Sequence, residues 1–401
     1  MNKDDYYSQY FEICKNVLAF AEAENYSGYS KFDALNSPIL KVICRDNRYL
    51  GGGVTLVVNK SPVNVRRVLL VKKSRNPKGI ALFIRAYLNL YQLTQRDEYL
   101  KKAELCLEWL RQNAIPGYSG PCWGYNFDWV SRLFYAPKGT PNCVVTVFVC
   151  EALIHAYEVT NNEKYLIQAE QSALFLMKDL PILYEDNSMK CVGYVPIGVN
   201  NRVININALL GSLLAKLWRY SNNDLYLIEG SKLISYVTGQ KTMDNCWYYT
   251  DPPSASSITY DNYHTGGILD SLLEFMEYTN KKSYQKIWEE SIHFYVNNLF
   301  LPDGSPKWMA DKTYPLNIHG SAQGIVTFSK ASKYNDGCMN IAKTIANWSV
   351  ENLYDRKWHY FYYQKNRFFT ERYTLMRWCN GWMTRAISEL LLKMQNINGD
   401  W

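Results

Sequence analysis

The sequence predicts an all-α protein, an (α/α)6 toroid of six inner and six outer helices, with a small irregular or β arm near the N-terminus. Three observations predict it. Similar apolar helix starts recur along the chain: NPKGIALFIRAYL from Asn76, PNCVVTVFVCEALIHAY from Pro141, RVININALLGSLLAKLW from Arg202, DNYHTGGILDSLLE from Asp261, IHGSAQGIVTFSKA from Ile318 and CNGWMTRAISELLLK from Cys379. The segments LYQLTQRDEYL, AYEVTNNEKYL, LWRYSNNDLYL and FMEYTNKKSYQ share one pattern, ending an apolar helix and starting a second at a Tyr. The first helix of each pair is apolar nearly all round, whereas the second carries charge on one face. A helix apolar all round has to be surrounded, so the first set forms an inner ring and the second an outer one. Repeats pack on their neighbours, so residues 1–401 make one domain.

The elements follow in order. Residues 4–24 read as an amphipathic helix with acidic residues near its start, the outer helix that closes the ring. In residues 25–75, Gly51-Gly52-Gly53 interrupts the chain, and VTLVVN and RRVLLVKK have the β-branched content of short strands, so an irregular arm or hairpin is expected. Residues 76–401 carry the repeats. The Thr or Ser in each linking segment suits an N-cap or tight turn before Tyr99, Tyr165, Tyr226 and Tyr284. Connections from inner to outer helices are short. Those from outer to inner are long, at 115–141, 181–203, 241–262, 301–318 and 355–378, and gather at one face above the inner-helix N-termini. Long loops in a compact domain are commonly functional. Free N–H groups at those N-termini favour an anionic or oxygen-rich ligand.

Composition narrows the classes. The net charge of +7 is scattered, and Arg66-Arg67 and Lys72-Lys73 fall short of a nucleic-acid tract, so no nucleic acid is expected. The start MNKDDYYSQYF lacks the basic and apolar runs of a signal peptide, and no uninterrupted apolar window suggests a transmembrane segment. Ten Cys without a CxxC pair read as buried reduced thiols of a cytoplasmic protein. No HExxH, P-loop, GxSxG or Rossmann glycine pattern occurs, and no metal or cofactor is expected. The 33 Tyr and 12 Trp exceed what a core alone explains, and amphipathic rings are what line sugar clefts.

The long loops carry the candidate site. In 115–141, Trp123, Tyr125, Phe127 and Trp129 surround Asp128, with Arg132 and Lys138 behind, an aromatic platform bearing a carboxylate and cations. Asp261-Asn262-Tyr263-His264 opens the fourth inner helix, where Asp261 is a candidate acid or base and equally an N-cap, and His264 a proton carrier. His319 occupies a similar place in the next inner helix, so both imidazoles should project into one cavity. Gly266-Gly267 should let another backbone or a ligand come close. Tyr314, Tyr363, Arg367, Arg377 and Trp378 complete the polar and aromatic set, with Glu371 in reserve. Asn142, Asn205 and Asn207 are hydroxyl-binding groups or plain caps.

WGYNFDWVSR with PKGTPN, DNYHTGGILDSLLE, DGSPKWMADKTYPLNIHGSAQGI and FYYQKNRFFTERYTLMRWCNGWM resemble a bacterial family often encoded with surface-polysaccharide genes and related in fold to the six-hairpin glycosidases. The resemblance covers most of the chain from about residue 76 onward. It implies the toroid and a carbohydrate substrate, an oligosaccharide or activated sugar, with association with polysaccharide-assembly enzymes; it transfers no catalytic set. Two reactions stay open. Hydrolysis would use Asp128 and Asp261 flanking the bond. Epimerisation or β-elimination would use His264, His319 and Tyr263 as acid and base, with Arg132 or Arg377 holding an anionic group. The alternative from another class is a non-catalytic glycan-binding or scaffold protein of a polysaccharide-assembly complex.

Overall fold

The computed structural model describes residues 3–45, 47–130, 135–198 and 201–398. The chain opens with α1 (Lys3–Ala23), followed by the arm helices α2 (Pro38–Cys44) and α3 (Arg48–Lys60). Five helical hairpins come next: α4 (Pro77–Thr94) with α5 (Asp97–Gln112), α6 (Cys143–Thr160) with α7 (Glu163–Lys178), α8 (Ile204–Ser221) with α9 (Asp224–Gly239), α10 (Asn262–Thr279) with α11 (Gln285–Leu299), and α12 (Ile318–Ala331) with α13 (Gly337–Leu353). A π-helical turn, Met376–Gly381, leads into α14 (Trp382–Asn398), whose outer partner is α1.

The even-numbered helices from α4 to α14 each touch the next, and α14 returns to α4, so the inner ring closes. The fold is an (α/α)6 toroid. One apolar core runs round it and includes all of the inner helices. Ten cysteines, unpaired and buried, belong to the interior. Among the described helices, α6 alone is long and apolar enough to cross a membrane, and it sits mostly buried in the inner ring.

The hairpin turns explain the shared sequence pattern. Gln95, Asn161, Asn222 and Asn280 end the inner helices in the left-handed region, at φ of 54° to 55°. Asn tolerates that region better than most side chains do. The preceding Thr94, Thr160, Ser221 and Thr279 donate their hydroxyls back to the carbonyl four residues earlier. They therefore finish the inner helix, and Asn162 and Asn223 cap the outer ones. The hydroxyls of Thr94, Thr160 and Ser221 also accept from the N–H two residues on, so of the two expected roles, cap or tight turn, it is the turn that is observed.

The arm also differs from expectation. VTLVVN lies inside α3, whose N-cap Asn47 accepts from the N–H groups of Tyr49 and Leu50, and RRVLLVKK forms turns rather than a strand. β-Branched content misled here because α3 is amphipathic: Thr55 and Val58 are buried while Leu56 and Val57 are exposed. The arm is pinned by a buried Arg66–Asp33 ion pair at 2.6 Å. The strands lie in the long loops. In the 355–378 loop a hairpin pairs Gln364–Lys365 with Thr370–Glu371, extended by Leu316–Asn317.

The inner helices are less purely apolar than their sequences suggest. Each contributes an ionised side chain of alternating sign round the ring: Arg85, Glu151, Lys216, Glu274, Lys330 and Glu389. Arg85–Glu151 is 3.4 Å, Lys216 bridges Glu151 at 2.5 Å and Glu274 at 2.9 Å, and Lys330 reaches Glu274 at 2.7 Å. Glu389 pairs with Arg385 of its own helix. Burial drives Glu274 up, but Lys216, Lys330 and Arg85 together hold it well below the usual carboxylate range. Alternation leaves every charge between opposites, the condition under which buried ions are tolerated.

Candidate functional site: a cationic, aromatic-walled cavity at the mouth of the toroid

A cavity of about 850 Å³ opens at the face where the long loops gather. First turns of inner helices form its floor: Lys78 of α4, Tyr263 and His264 of α10, His319 of α12, and Arg377 and Trp378 of the turn before α14. Tyr125, Trp129, Tyr194 and Tyr249 from the loops make the walls, and α3 supplies part of the rim through Gly52, Gly53, Thr55 and Asn59.

Asp261 caps α10, and its carboxylate accepts from the His264 N–H at 3.5 Å. The same carboxylate meets His264 Nδ1 at 2.9 to 3.0 Å. A carboxylate can only accept, so Nδ1 is the donor, and Nε2 has no protein partner among the described residues. Tyr249 stacks on the imidazole at 4.5 Å. Cap and dyad are thus one arrangement: the backbone bond that starts α10 aims the carboxylate at the ring one turn on.

His319 is caged. Its ring lies 4.4 Å from Tyr263, nearly parallel, with Trp378 at 4.5 Å and Trp382 at 4.4 Å. Tyr263 therefore stands between the two imidazoles, since His264 is also 4.4 Å from it. Burial, then Lys78 and Arg377, push the His319 pKa well below its ordinary value, so the ring is neutral. Its Nδ1 is buried without a partner. Burial raises Tyr263 well above the ordinary phenol value, keeping it protonated. Asn317 caps α12 and also accepts from Trp378 Nε1 at 2.9 Å, which pins the indole.

Two of the cations, Lys78 and Arg377, have no carboxylate partner among the described residues. Lys78, only 6 % exposed, places Nζ 3.8 Å from the Phe148 ring centroid and has no hydrogen bond or ion pair among the described residues. Burial and then Arg377 push it well below the usual ammonium value. The Arg377 guanidinium lies over Tyr125 at 5.2 Å and Trp378 at 5.3 Å, with Nε buried and unpartnered. Lys31 sits 4.4 Å over Trp378; burial first, then Arg377, bring it down to about 8. Aromatic faces soften but do not neutralise a buried cation. Among the described residues no Asp or Glu lines the cavity.

The close approach of these helices is set by two glycines. A Cβ at Gly79 would stand 3.1 Å from Arg377 Cβ, so Gly79 lets the turn carrying Arg377 lie against α4. At Gly266 a Cβ would meet Gln323 Cγ at 2.5 Å and the Tyr295 hydroxyl at 2.6 Å, whereas at Gly267 it would meet nothing within 4 Å and would enter the cavity. The expected roles of the Gly pair divide between packing and open space.

Of the residues picked from sequence, Tyr125, Trp129, Asn205, Tyr263, His264, His319, Arg377 and Trp378 come together here, with Asp261 directly behind His264. Others do not line the cavity. Asp128 accepts from the Lys138 N–H at 2.7 Å and lies 3.8 Å from Lys41. Trp123 is fully buried and donates to the Leu110 carbonyl. Asn142 caps α6, and Asn207 bonds Val192 and Val203 backbone. Tyr363 packs on Tyr373 in the core, Tyr314 is exposed, and Arg367 is exposed over Phe368. The reserve Glu371 is held by Gln364, Asn366 and Tyr373. Arg132 lies outside the described residues. Sequence reasoning missed Lys31, Lys78, Tyr194, Tyr249 and Trp382. Lys78 carried a readable signal, as a cation in the first turn of an inner helix at the face where the long loops gather.

No protein-family profile matches the sequence, and no curated protein is significantly similar to it. Solved structures are similar in fold. The cellobiose 2-epimerase of Bacillus thermoamylovorans aligns with a TM-score of 0.62 at 12 % identity, over 80 % of this chain and 89 % of that one. The family GH76 α-mannanase of Bacteroides thetaiotaomicron gives 0.62 at 14 % identity, over 82 % and 89 %. A family 88 glycosyl hydrolase of Bacteroides vulgatus gives 0.55 at 11 % identity, over 84 % and 96 %. The fold is therefore six-hairpin glycosidase-like. Epimerase and hydrolases share it, so the reaction has to be argued from the cavity.

Proposed function

We propose that this is a carbohydrate-active enzyme that moves a proton at the carbon next to the carboxylate of an acidic sugar, leading to epimerisation or β-elimination. The observation that carries the reading is the pairing of the Asp261–His264 dyad with two buried cations, Lys78 and Arg377, that have no carboxylate partner. A bound anion supplies the missing counter-charge. Hydrolysis by two flanking carboxylates lacks its groups, because no Asp or Glu among the described residues reaches the cavity wall.

In this scheme the sugar carboxylate lies against Lys78 and Arg377, and its ring stacks on the aromatic walls. His264 Nε2 takes the proton from the adjacent carbon, and Asp261 stabilises the imidazolium. The electron pair moves onto the carboxylate oxygens, where the two cations oppose the new charge. The protonated Tyr263 returns a proton to the opposite face, giving the epimer, and His264 passes the abstracted proton back to the phenolate before the next turnover. In elimination, the electron pair instead expels the glycosidic oxygen at the next carbon, which leaves with a proton. The carbohydrate-processing fold neighbours support the substrate class. We place the reaction in surface-polysaccharide synthesis beside assembly enzymes on the sequence resemblance, and in the cytoplasm on the cysteine pattern.

The test is incubation with uronate-containing oligosaccharides and nucleotide sugars in D2O. Proton NMR should show the signal of the hydrogen next to the carboxylate disappearing, or a new C=C bond appearing. Binding without exchange or elimination across the panel would instead establish a glycan-binding protein.

A further inference from the structure

We infer that the arm is a docking surface for an anionic lipid bilayer. Among the described residues, ten of the 26 exposed large apolar side chains lie between Ile39 and Leu70, and eight of these, all but Tyr49 and Leu56, lie outside the cavity lining. Val42 and Val57 are each 71 % exposed and Val68 is 79 % exposed. The opposite side of the arm is satisfied: Leu40 and Val58 pack with Ala34, and Arg66 is locked to Asp33. The arm is thus anchored to the body with its other apolar face uncovered.

The charge of the segment selects the occupant. Residues 38–75 hold Lys41, Arg45, Arg48, Lys60, Arg66, Arg67, Lys72, Lys73 and Arg75 against Asp46 alone. Arg66 and Lys73 pair with Asp33 and Glu24, and Lys41 lies 3.8 Å from Asp128. Arg45, Lys60, Arg67 and Lys72 are exposed and have no carboxylate within ion-pair distance among the described residues. Short helices with exposed aliphatic side chains and a basic surround lie in a headgroup interface, with cations at the phosphates and aliphatic groups at the acyl boundary. A second copy fits poorly, because a two-fold interface would set this basic face against itself. The proposal is independent of the cavity's reaction, but the two are contiguous. Gly52, Gly53, Thr55 and Asn59 of α3 border the cavity, so docking would hold its mouth at the lipid surface.

The experiment is co-sedimentation of the full chain with vesicles of phosphatidylcholine alone and of phosphatidylcholine with phosphatidylglycerol at about 3:1, at low and high salt. The variants are Val57→Glu with Val68→Glu, and Lys60→Glu with Arg67→Glu. All four positions are exposed, and circular dichroism and melting temperature check that the fold is kept. The expected result is preferential sedimentation with the anionic vesicles, weakened by salt and reduced roughly tenfold or more in each variant. Failure to sediment with anionic vesicles overturns the proposal, as does sedimentation unchanged in both variants. A concentration-dependent dimer that dissolves in the Val57→Glu, Val68→Glu variant also overturns it, assigning the face to self-association.

Discussion

Replacing Asp261 with Asn separates its two duties. As a helix cap, Asn is equivalent to Asp, so the α10 start loses only a few tenths of a kcal/mol, on the order of 0.3. The bond to His264 Nδ1 at 2.9 to 3.0 Å changes from charge-assisted to neutral, which costs about 1 kcal/mol in a site this buried. Asp261→Asn should therefore unfold within about 1 to 1.5 kcal/mol of wild type in urea. Asp261→Ala should lose about 2 to 4 kcal/mol, because the cap goes and a half-buried Nδ1–H is left unpaired. Turnover should behave differently. Without the negative charge the imidazolium is unsupported and the tautomer is no longer fixed, so exchange in D2O should fall by about 10²- to 10⁴-fold in both variants. Wild-type exchange in a stably folded Asp261→Asn protein would refute the reasoning and leave Asp261 as a cap alone.

Three further outcomes are expected. Lys31 is held near 8 in the fold against 10.5 for the free side chain, so the folded state binds its proton more weakly than the unfolded chain does. The charged form therefore lowers stability at neutral pH, and that cost disappears as pH rises through the window from about 8 to 10.5. Lys31→Met should be more stable than wild type by roughly 2 kcal/mol at pH 7, after allowing for the lost contact with Trp378, with the gap closing toward pH 10.5 in paired denaturation curves. Lys216→Met should cost about 3 to 5 kcal/mol in urea unfolding, since Glu151 and Glu274 each lose a buried partner. Gly266→Ala should destabilise by about 1 to 3 kcal/mol through its clash with Gln323 and Tyr295, whereas Gly267→Ala should melt like wild type while reducing uronate affinity.

The sequence by itself determined the ring. A repeated apolar helix, a polar turn opening on Thr or Ser and reaching a Tyr, and a charged-face helix specify a hairpin, and six such starts specify closure. These signals are local and periodic, so they survive without coordinates. It also marked Tyr263, His264 and His319, because equivalent positions in successive repeats fall on one rim. Tertiary structure alone decided the rest. Asp128 and Trp123 share a loop with Tyr125 and Trp129, yet of these four Tyr125 and Trp129 line the cavity, since loop direction follows from packing. The arm looked strand-like because β-branched residues suit strands, but α3 lies across the rim, where one side packs and the other stays exposed. Lys78 on the first inner helix and Arg377 in the turn before the last meet only because the ring closes, which brings residues from opposite ends of the repeat array beside one cavity.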